Sequence, residues 1–429
     1  MTAEIVIMNK EAVALAADSA VTIDQEKGQK IFTSANKLFA LSKYYPVGLM
    51  VYGNASLMGV PWETIIKIYR KLLGEQKFDT LRDYADNFIS FLDNCNKLFP
   101  DKLQKKYFFE SISSYFYLIR DSIENKIKAD YFDKGKPVLK SQVMQITSDL
   151  IKKHYNELEE KATLPSITEN YTENILINYS ELIEKAKDSV FEKLPISEES
   201  INQLKKISID LLSKDIFPNN ISGIVIAGFG ETDIFPSIKS FDIQFIVNDK
   251  LKYKERLYEE INFEKTAAII PFAQRDMVAT FMEGIDPFLQ KQMERYLSEL
   301  FNKYPEIIID NIEKVDPAEK EEYKEKLKII SKNVLNYYLE QIKTIKSEHY
   351  IDPVISVVNM LPKDELASMA ESLVNLTSFK RKVTMVTETV GGPIDVAIIS
   401  KGDGFIWIKR KHYFKAELNP QFISNYNRR

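Results

Sequence analysis

The sequence predicts an α+β protein in which antiparallel sheets pack against helices, not a regular parallel sheet with alternating helices. Short β-rich runs are grouped before residue 60, near residues 221–247 and again near the C-terminal end. The long segments between them have apolar residues at spacings of three and four, which is typical of amphipathic helices. This grouping predicts two stacked sheets between helical layers.

The first sixty residues contain about five predicted strands. IVIM and AVALAA flank Asn9 to Glu11 in the manner of a tight hairpin. A polar turn is predicted from Asp24 to Gly28. Two further predicted strands, IFTS and KLFAL, follow it. VGLMVYGNASLMG is a fifth apolar run, which ends near Gly53 and then becomes helical.

The remaining elements follow from the same patterns. Residues 61–219 form a predicted helical block interrupted by prolines, and two apolar runs flanking GFGETD predict a hairpin. A helical stretch is expected from Arg275 to about Lys346, and an amphipathic helix over residues 360–382. PIDVAIISKGDGFIWIKRK predicts a final pair of strands that turns at KGDG.

Composition narrows the classes of function. The formal net charge is only −4, so no overall basic field predicts binding to nucleic acid or to an anionic membrane. No window reaches the roughly 18 to 20 consecutive apolar residues of a membrane span, and no signal peptide is visible. A single cysteine, Cys95, excludes an intrachain disulfide framework. We therefore expect a cytoplasmic protein without nucleic-acid or membrane partners.

Thr2 is a candidate nucleophile because methionine is usually removed when a small residue follows it. A threonine at the N-terminus carries a hydroxyl and a free α-amine, and the amine can accept the hydroxyl proton. Threonine after methionine is common, so this interpretation depends on the residues that accompany it. Those residues are Asp18, Lys37 and Gly53.

The segments around these four residues resemble the start of proteasome β subunits and of the bacterial ATP-dependent proteasome-like peptidase. Thr2, AVALAADSAVT, KIFTSANKLFAL and VGLMVYGNASLMG occur in the family's order. The hairpin around GFGETD and the closing ETVGGPIDVAIISKGDGFIWI also resemble family segments, so the likeness covers a minority of the chain at both ends. The resemblance implies an N-terminal nucleophile hydrolase with a four-layer αββα sandwich.

The resemblance also assigns roles and domains. It implies that Thr2 is the nucleophile, that Asp18 orients a charged Lys37, and that Lys37 lowers the pKa of the α-amine. The amide of Gly53 would stabilise the oxyanion. Residues 1–60 and 220–429 would form the sandwich, with a helical insertion at about 285–346, while residues 61–219 would be partly core helices and partly insertion.

The resemblance predicts a threonine-type peptidase or amidohydrolase that acts on a peptide or protein substrate and needs no cofactor. A homo-oligomer is implied, and some family members require an unfolding ATPase. Two alternatives stay open: a catalytically inactive proteasome-fold scaffold or regulatory assembly protein, and a non-peptide amidohydrolase. Retention of Met1 favours the scaffold.

Two departures from the family pattern bear on these alternatives. The family's Ser-Gly segment is replaced by PFAQRD around Gln274, and its Asp-x-x-Ser pattern is replaced by residues Thr387 to Val390. Glu388 is a candidate replacement for the missing carboxylate.

Other chemically interesting residues carry less weight. His154, His349 and His412 lie far apart in the sequence, without Glu or Cys at metal-ligand spacing, so no metal site is predicted. Cys95 is interpreted as a packed helix residue. GFGETD is interpreted as a turn, because it lacks the strand, turn and helix context of a dinucleotide-binding loop.

Overall fold

The computed structural model describes residues 3–25, 28–95, 97–218, 221–312, 316–384, 390–421 and 424. Within these ranges the chain is α+β, with antiparallel sheets and many helices, as the grouping of sequence patterns predicts. None of the described helices combines the length and the apolar character that crossing a membrane requires.

The first five-stranded sheet contains the strand that starts the described chain. Its strands, in spatial order, are β12 (Ala267–Ala273), β1 (Ala3–Asn9), β2 (Ala12–Ala17), β13 (Asp395–Ser400) and β14 (Gly404–Lys409). All neighbours are antiparallel. The predicted hairpin of IVIM and AVALAA and the final strand pair around KGDG are confirmed.

The second five-stranded sheet carries the middle of the chain and two earlier strands. Its order is β11 (Lys250–Glu260), β10 (Ser237–Val247), β9 (Ser222–Gly228), β6 (Val47–Gly53) and β5 (Leu38–Ala40). The hairpin around GFGETD is confirmed as the connection between β9 and β10. Two small hairpins pair β3 (Val21–Gln25) with β4 (Gly28–Phe32), and β7 (Ser56–Leu57) with β8 (Val60–Pro61).

Some strand predictions need correction. The predicted strand IFTS is wrong at its C-terminal end, because β4 pairs with β3 only as far as Phe32, opposite Val21. The sequence patterns did not predict β3, β7, β8, β11 or β12. In β11 only Leu251 and Lys252 are buried and the rest is largely charged, so its sequence lacks the sustained apolar alternation that identifies other strands.

Helices follow the early strands and precede β9. They are α1 (Trp62–Leu73), α2 (Leu81–Asp93), α3 (Asp101–Ile127), α4 (Lys140–Glu159), α5 (Glu169–Phe191) and α6 (Glu198–Ser213), and α3 continues into a π-helical turn at Lys128–Phe132. The predicted helical block is confirmed as helix. Its apolar side packs with Ile224, Ile226 and Phe241 of the second sheet.

A second group of helices lies between β12 and β13 in the sequence. They are α7 (Asp276–Glu283), α8 (Pro287–Asp310), α9 (Pro317–Lys346), α10 (Asp352–Met360) and α11 (Lys363–Val383), with a π-helical turn at Ser347–Ile351 and a 3-10 turn at Ala416–Leu418 near the end. The predicted stretch from Arg275 to Lys346 is therefore three helices, and the predicted helix over 360–382 is confirmed as α11.

Strand β1 shows how the apolar clusters are arranged, because alternate residues point to opposite faces of a strand. Ile5 and Ile7 belong to a cluster with residues of α11, such as Leu366. Val6 and Met8 belong to a different cluster that combines residues of both five-stranded sheets. Both faces of β1 are therefore covered, which explains why the whole strand is buried.

Candidate active site

Asp18 is the residue that follows β2, and its carboxylate is fully buried. Oδ1 accepts hydrogen bonds from the Lys37 ammonium at 2.6 Å and from the Ala3 amide at 3.1 Å. Oδ2 accepts from the amides of Ala20 at 3.2 Å and Gly391 at 2.9 Å. Four donors therefore compensate the loss of water around this charge, as a buried carboxylate requires.

Lys37 reaches Asp18 from the other five-stranded sheet. It lies just before β5, and its backbone carbonyl accepts a hydrogen bond from the Val51 amide of β6 at 2.9 Å. Only 4% of Lys37 is exposed, so the ion pair is shielded from water on both sides. The pair joins the end of β2 in one sheet to the edge of the other.

Gly53 ends β6 with a backbone φ of +77°, in the region that strongly favours glycine. A Cβ atom at this position would lie 2.1 Å from the carbonyl oxygen of Ile221. That oxygen also accepts the Asn54 amide at 3.0 Å, so it is held in place. A side chain at position 53 is therefore excluded both by backbone conformation and by space.

A cavity of about 190 Å³ lies beside Lys37 and Gly53. Lys37 and Gly53 both line it, together with Val21, Ala35 and Trp62. Trp62 is fixed because its indole Nε1 donates to the Ser222 hydroxyl at 2.8 Å. The cavity offers a largely apolar pocket beside a buried ammonium.

The structure brings Asp18, Lys37 and Gly53 into one region. Thr2 lies outside the described residues. Ala3, which follows it in the chain, is bound to the same Asp18 oxygen as the Lys37 ammonium. The start of β1 is therefore anchored directly at the buried ion pair.

Glu4 is an unexpected member of this region. It is fully buried, and neither of its carboxyl oxygens has a hydrogen-bond partner among the described residues. Burial raises the pKa of Glu4 well above its ordinary value, and the charge of Asp18 adds to this, whereas the charge of Lys37 opposes it. The signal was present in the sequence as a single acidic residue within AEIVIM.

Gly391 is a second residue that sequence reasoning missed. It lies in the segment ETVGG, which resembles the family's closing loop, but no pattern indicates that its amide donates to Asp18. The preceding Val390 is fully buried. Thr387, Glu388 and Thr389 lie outside the described residues, so the suggestion that Glu388 replaces a family carboxylate stays a prediction.

The other departure from the family pattern has a defined structural role. Gln274 is largely buried, and its Oε1 accepts a hydrogen bond from Arg381 Nε at 2.8 Å and a second bond from Arg381 Nη2. Arg381 lies near the end of α11, so this contact ties the residues after β12 to that helix. The PFAQRD segment therefore makes a structural contact of its own.

The residues given less weight remain apart from this site. His154 contacts Tyr115, with 3.2 Å between Nδ1 and the phenol oxygen, and burial lowers the pKa of this histidine. Cys95 is half-buried beside the helical cluster, and burial raises the pKa of its thiol. Over the ranges that the structure covers, no three His, Cys, Asp or Glu side chains come together as metal ligands could.

Known proteins offer no independent assignment. Neither a protein-family profile nor a curated protein sequence matches this chain. The chemical interpretation of the site therefore depends on the geometry around Asp18, Lys37 and Gly53.

Proposed function

We propose that this protein is a threonine-type amide-bond hydrolase whose nucleophile is Thr2, exposed by removal of Met1. One observation carries the proposal: a single oxygen of buried Asp18 binds both the Lys37 ammonium and the amide of Ala3. A lysine held beside the first residues of a chain is what an N-terminal catalytic amine needs. Its positive charge disfavours a second positive charge on the amine, so the amine stays unprotonated and available to accept a proton.

The proposed reaction uses the two groups of Thr2 in sequence. The α-amine takes the proton of the hydroxyl as its oxygen attacks the substrate carbonyl carbon, and a tetrahedral oxyanion forms. The C–N bond then breaks, the amine of Thr2 gives the proton to the leaving group, and an ester remains. Water, deprotonated by the same amine, hydrolyses that ester and restores Thr2.

Gly53 is proposed to supply the amide that stabilises the oxyanion. Its positive φ and the close approach of the Ile221 carbonyl show a position where only glycine fits. The cavity between Gly53 and Lys37 is of a size to hold one apolar substrate side chain. Losing one oxyanion donor typically lowers the rate roughly 100- to 1,000-fold.

We further infer a four-layer αββα sandwich of the proteasome type, in which residues 61–219 are partly core helices and partly insertion and residues at about 285–346 are a helical insertion. Three apolar clusters support this arrangement. One combines the helical block with the second sheet, one combines both sheets, and one combines the first sheet with α11. Peptides or proteins are the proposed substrates, and assembly as a homo-oligomer, with an unfolding ATPase where the substrate is folded, belongs to the same proposal.

A catalytically inactive scaffold is the second candidate. It is favoured by the segment around Gln274, where the family's Ser-Gly is absent and Arg381 occupies the glutamine oxygen. A non-peptide amidohydrolase uses the same nucleophile on a smaller substrate.

The deciding experiment is the intact mass of the purified protein before and after incubation with an epoxyketone or a β-lactone. We expect a chain without Met1 that gains one adduct, and no adduct in Thr2→Ala. Thr33→Ala is the matched control and should still be modified. A chain that retains Met1, or that no such probe modifies, supports the scaffold instead.

Turnover distinguishes the two hydrolases. Cleavage of unfolded protein and peptides supports the peptidase. Labelling of Thr2 together with turnover of small amides alone supports the non-peptide amidohydrolase.

A further inference from the structure

Helices α8 and α9 form an antiparallel hairpin between β12 and α10 in the sequence. Their ion pairs define which residues lie opposite one another: Lys324 binds Asp310 at 3.1 Å, and Lys328 binds Glu306 at 3.4 Å. Each helix packs mainly against the other, and α7 and the π-helical turn after α9 adjoin the base of the hairpin. Most of its surface is therefore left to solvent.

The faces that the two helices turn to each other can be read from burial. In α8, Leu297, Phe301 and Pro305 are partly or fully buried at spacings of four. In α9, Ser331 and Leu335 are the corresponding residues. These residues mark the side of each helix that faces the other helix, so the direction of every other side chain can be worked out from them.

A second apolar stripe runs along each helix and is exposed. Its side chains each leave between 44 and 67% of their surface uncovered. The stripe, which we call the apolar face of the hairpin, consists of Met293, Tyr296, Leu300, Tyr304 and Ile307 in α8 with Tyr323, Ile330, Val334 and Tyr337 in α9.

Both stripes lie on the same side of the hairpin. Leu300 precedes the inward Phe301 by one residue, as Val334 precedes the inward Leu335, and one residue is a rotation of about 100°. Because the helices are antiparallel and their inward sides point toward each other, equal backward rotations bring both stripes to one side. The face is therefore continuous across the two helices.

The opposite side of the hairpin has a different character. One residue after Phe301 and Pro305, α8 presents Asn302 and Glu306, and Glu299 lies on the same side; all three are exposed. On α9 the same side presents Lys332 and Asn336, and Ile329 is an exposed apolar residue outside the apolar face. The hairpin is thus amphipathic as a unit, which is unusual for a surface that faces only water.

The area of the apolar face matches a protein interface. Aromatic side chains bury about 150–250 Å² when fully covered and aliphatic ones less, so these nine half-exposed side chains present on the order of 1,000 Å². The largest apolar patch of an ordinary monomer is about 300–600 Å². A standard interface covers roughly 800 Å² on each partner.

We propose that a second copy of this chain covers the apolar face, so that the hairpins of two molecules pack as a four-helix bundle. Two antiparallel helices with a shared apolar side are half of such a bundle, and a copy supplies the other half with the same length and shape. Acidic and basic residues are equal in number over residues 287–346. Two copies therefore do not repel each other, and no basic excess attracts an anionic membrane.

The test is the molar mass in solution of the full-length protein, measured by light scattering between about 1 and 100 µM, a range that detects ordinary dimer affinities. The double variant Leu300→Glu with Val334→Glu places charges on the apolar face. The control, Asn302→Glu with Asn336→Glu, places the same charges on the opposite side. Circular dichroism of both variants reports whether the helices remain folded.

We expect the apolar-face variant to have half the mass of the wild-type assembly and the control to keep the wild-type mass. An unchanged mass in the apolar-face variant overturns the proposal, as does a control that dissociates equally. If the charged variant loses helix, the milder pair Leu300→Ser with Val334→Ser is measured at the lowest concentration with the same expectation. This result is independent of whether Thr2 is catalytic.

Discussion

The Lys37 ammonium and the Asp18 carboxylate form a buried ion pair, with Nζ and Oδ1 separated by 2.6 Å. A buried pair usually gains little over an apolar alternative, because removing two charges from water is costly. Here three backbone amides also bind the carboxylate, and one of them belongs to Ala3 at the start of the described chain. The pair therefore positions the beginning of β1 as well as joining the two sheets.

Asp18→Asn should destabilise the protein by about 3 kcal/mol, because Lys37 would remain buried without its counter-charge. The side-chain NH2 of the asparagine would also face two of the donors from which the carboxylate now accepts hydrogen bonds. Urea unfolding followed by circular dichroism measures the loss. Proteolysis of the native protein should become faster as well.

The matched control for this substitution is Asp403→Asn. Asp403 binds Lys363 at the same distance of 2.6 Å, but both side chains are about half exposed. Exposed pairs typically contribute about 0–1 kcal/mol. Equal losses of unfolding free energy in the two variants would show that burial does not strengthen the dependence of Lys37 on Asp18.

Gly53→Ala should lower the free energy of unfolding by at least about 2 kcal/mol more than Gly404→Ala does. Both glycines have a φ of +77°, so the cost of that backbone conformation, about 1–2 kcal/mol, is common to both. Only Gly53 has a backbone oxygen within 2.1 Å of the added Cβ, whereas Gly404 has nothing within 4 Å. Chemical denaturation of the two variants in parallel separates the cost of the steric clash from the cost of the backbone conformation. Similar midpoints would contradict a steric clash at position 53.

Sequence reasoning reached the residues whose roles depend on local pattern. Asp18 follows a strand and Gly53 ends one, and the family resemblance singled out both from the segments around them. Glu4 and Gly391 could not be assigned in this way. The burial of Glu4 depends on both faces of β1 being covered, and the Gly391 amide meets Asp18 only after the chain has returned from α11.

Features of the fold that depend on contacts distant in the sequence were also missed. Strand β11 has little apolar alternation because it lies at the edge of its sheet, where most of its residues are only partly buried. The apolar face of the α8–α9 hairpin cannot be recognised from the sequence of either helix alone. It appears only when the partner helix defines which side of each is already used.

Glu4→Met should stabilise the protein increasingly as pH rises above 4.5, the ordinary pKa of a glutamate. The unfolded carboxyl loses its proton near that value, while the buried one keeps its proton to higher pH. The native wild type therefore binds more protons than the unfolded chain in this window, and its stability falls as pH rises through it. The difference between variant and wild type should grow by about 1.4 kcal/mol per pH unit until the folded carboxyl ionises.

Urea unfolding at intervals from pH 4 to 8 measures this difference, and Glu4→Gln is the control that keeps the shape without the titration. Both variants should show the same pH dependence relative to wild type. A constant difference over the whole range would mean that Glu4 ionises normally in the folded protein. Titrating groups distant from Glu4 cancel, because they are common to all three proteins.

Ala35→Phe should lower kcat/KM toward peptide substrates at least about tenfold, if the cavity beside Gly53 receives a substrate side chain. Ala35 is partly exposed and lines this cavity of about 190 Å³, so a phenyl group added there would take up part of the space for a substrate side chain. A well-fitted apolar side chain contributes about 1.5–3 kcal/mol on burial, which corresponds to a tenfold or greater change in rate. Ser34→Phe adds the same ring to an exposed neighbour that does not line the cavity, and should leave kcat/KM near the wild-type value. Equal turnover by all three proteins would exclude this cavity as the substrate pocket, while loss of adduct formation in Thr2→Ala would still identify the nucleophile.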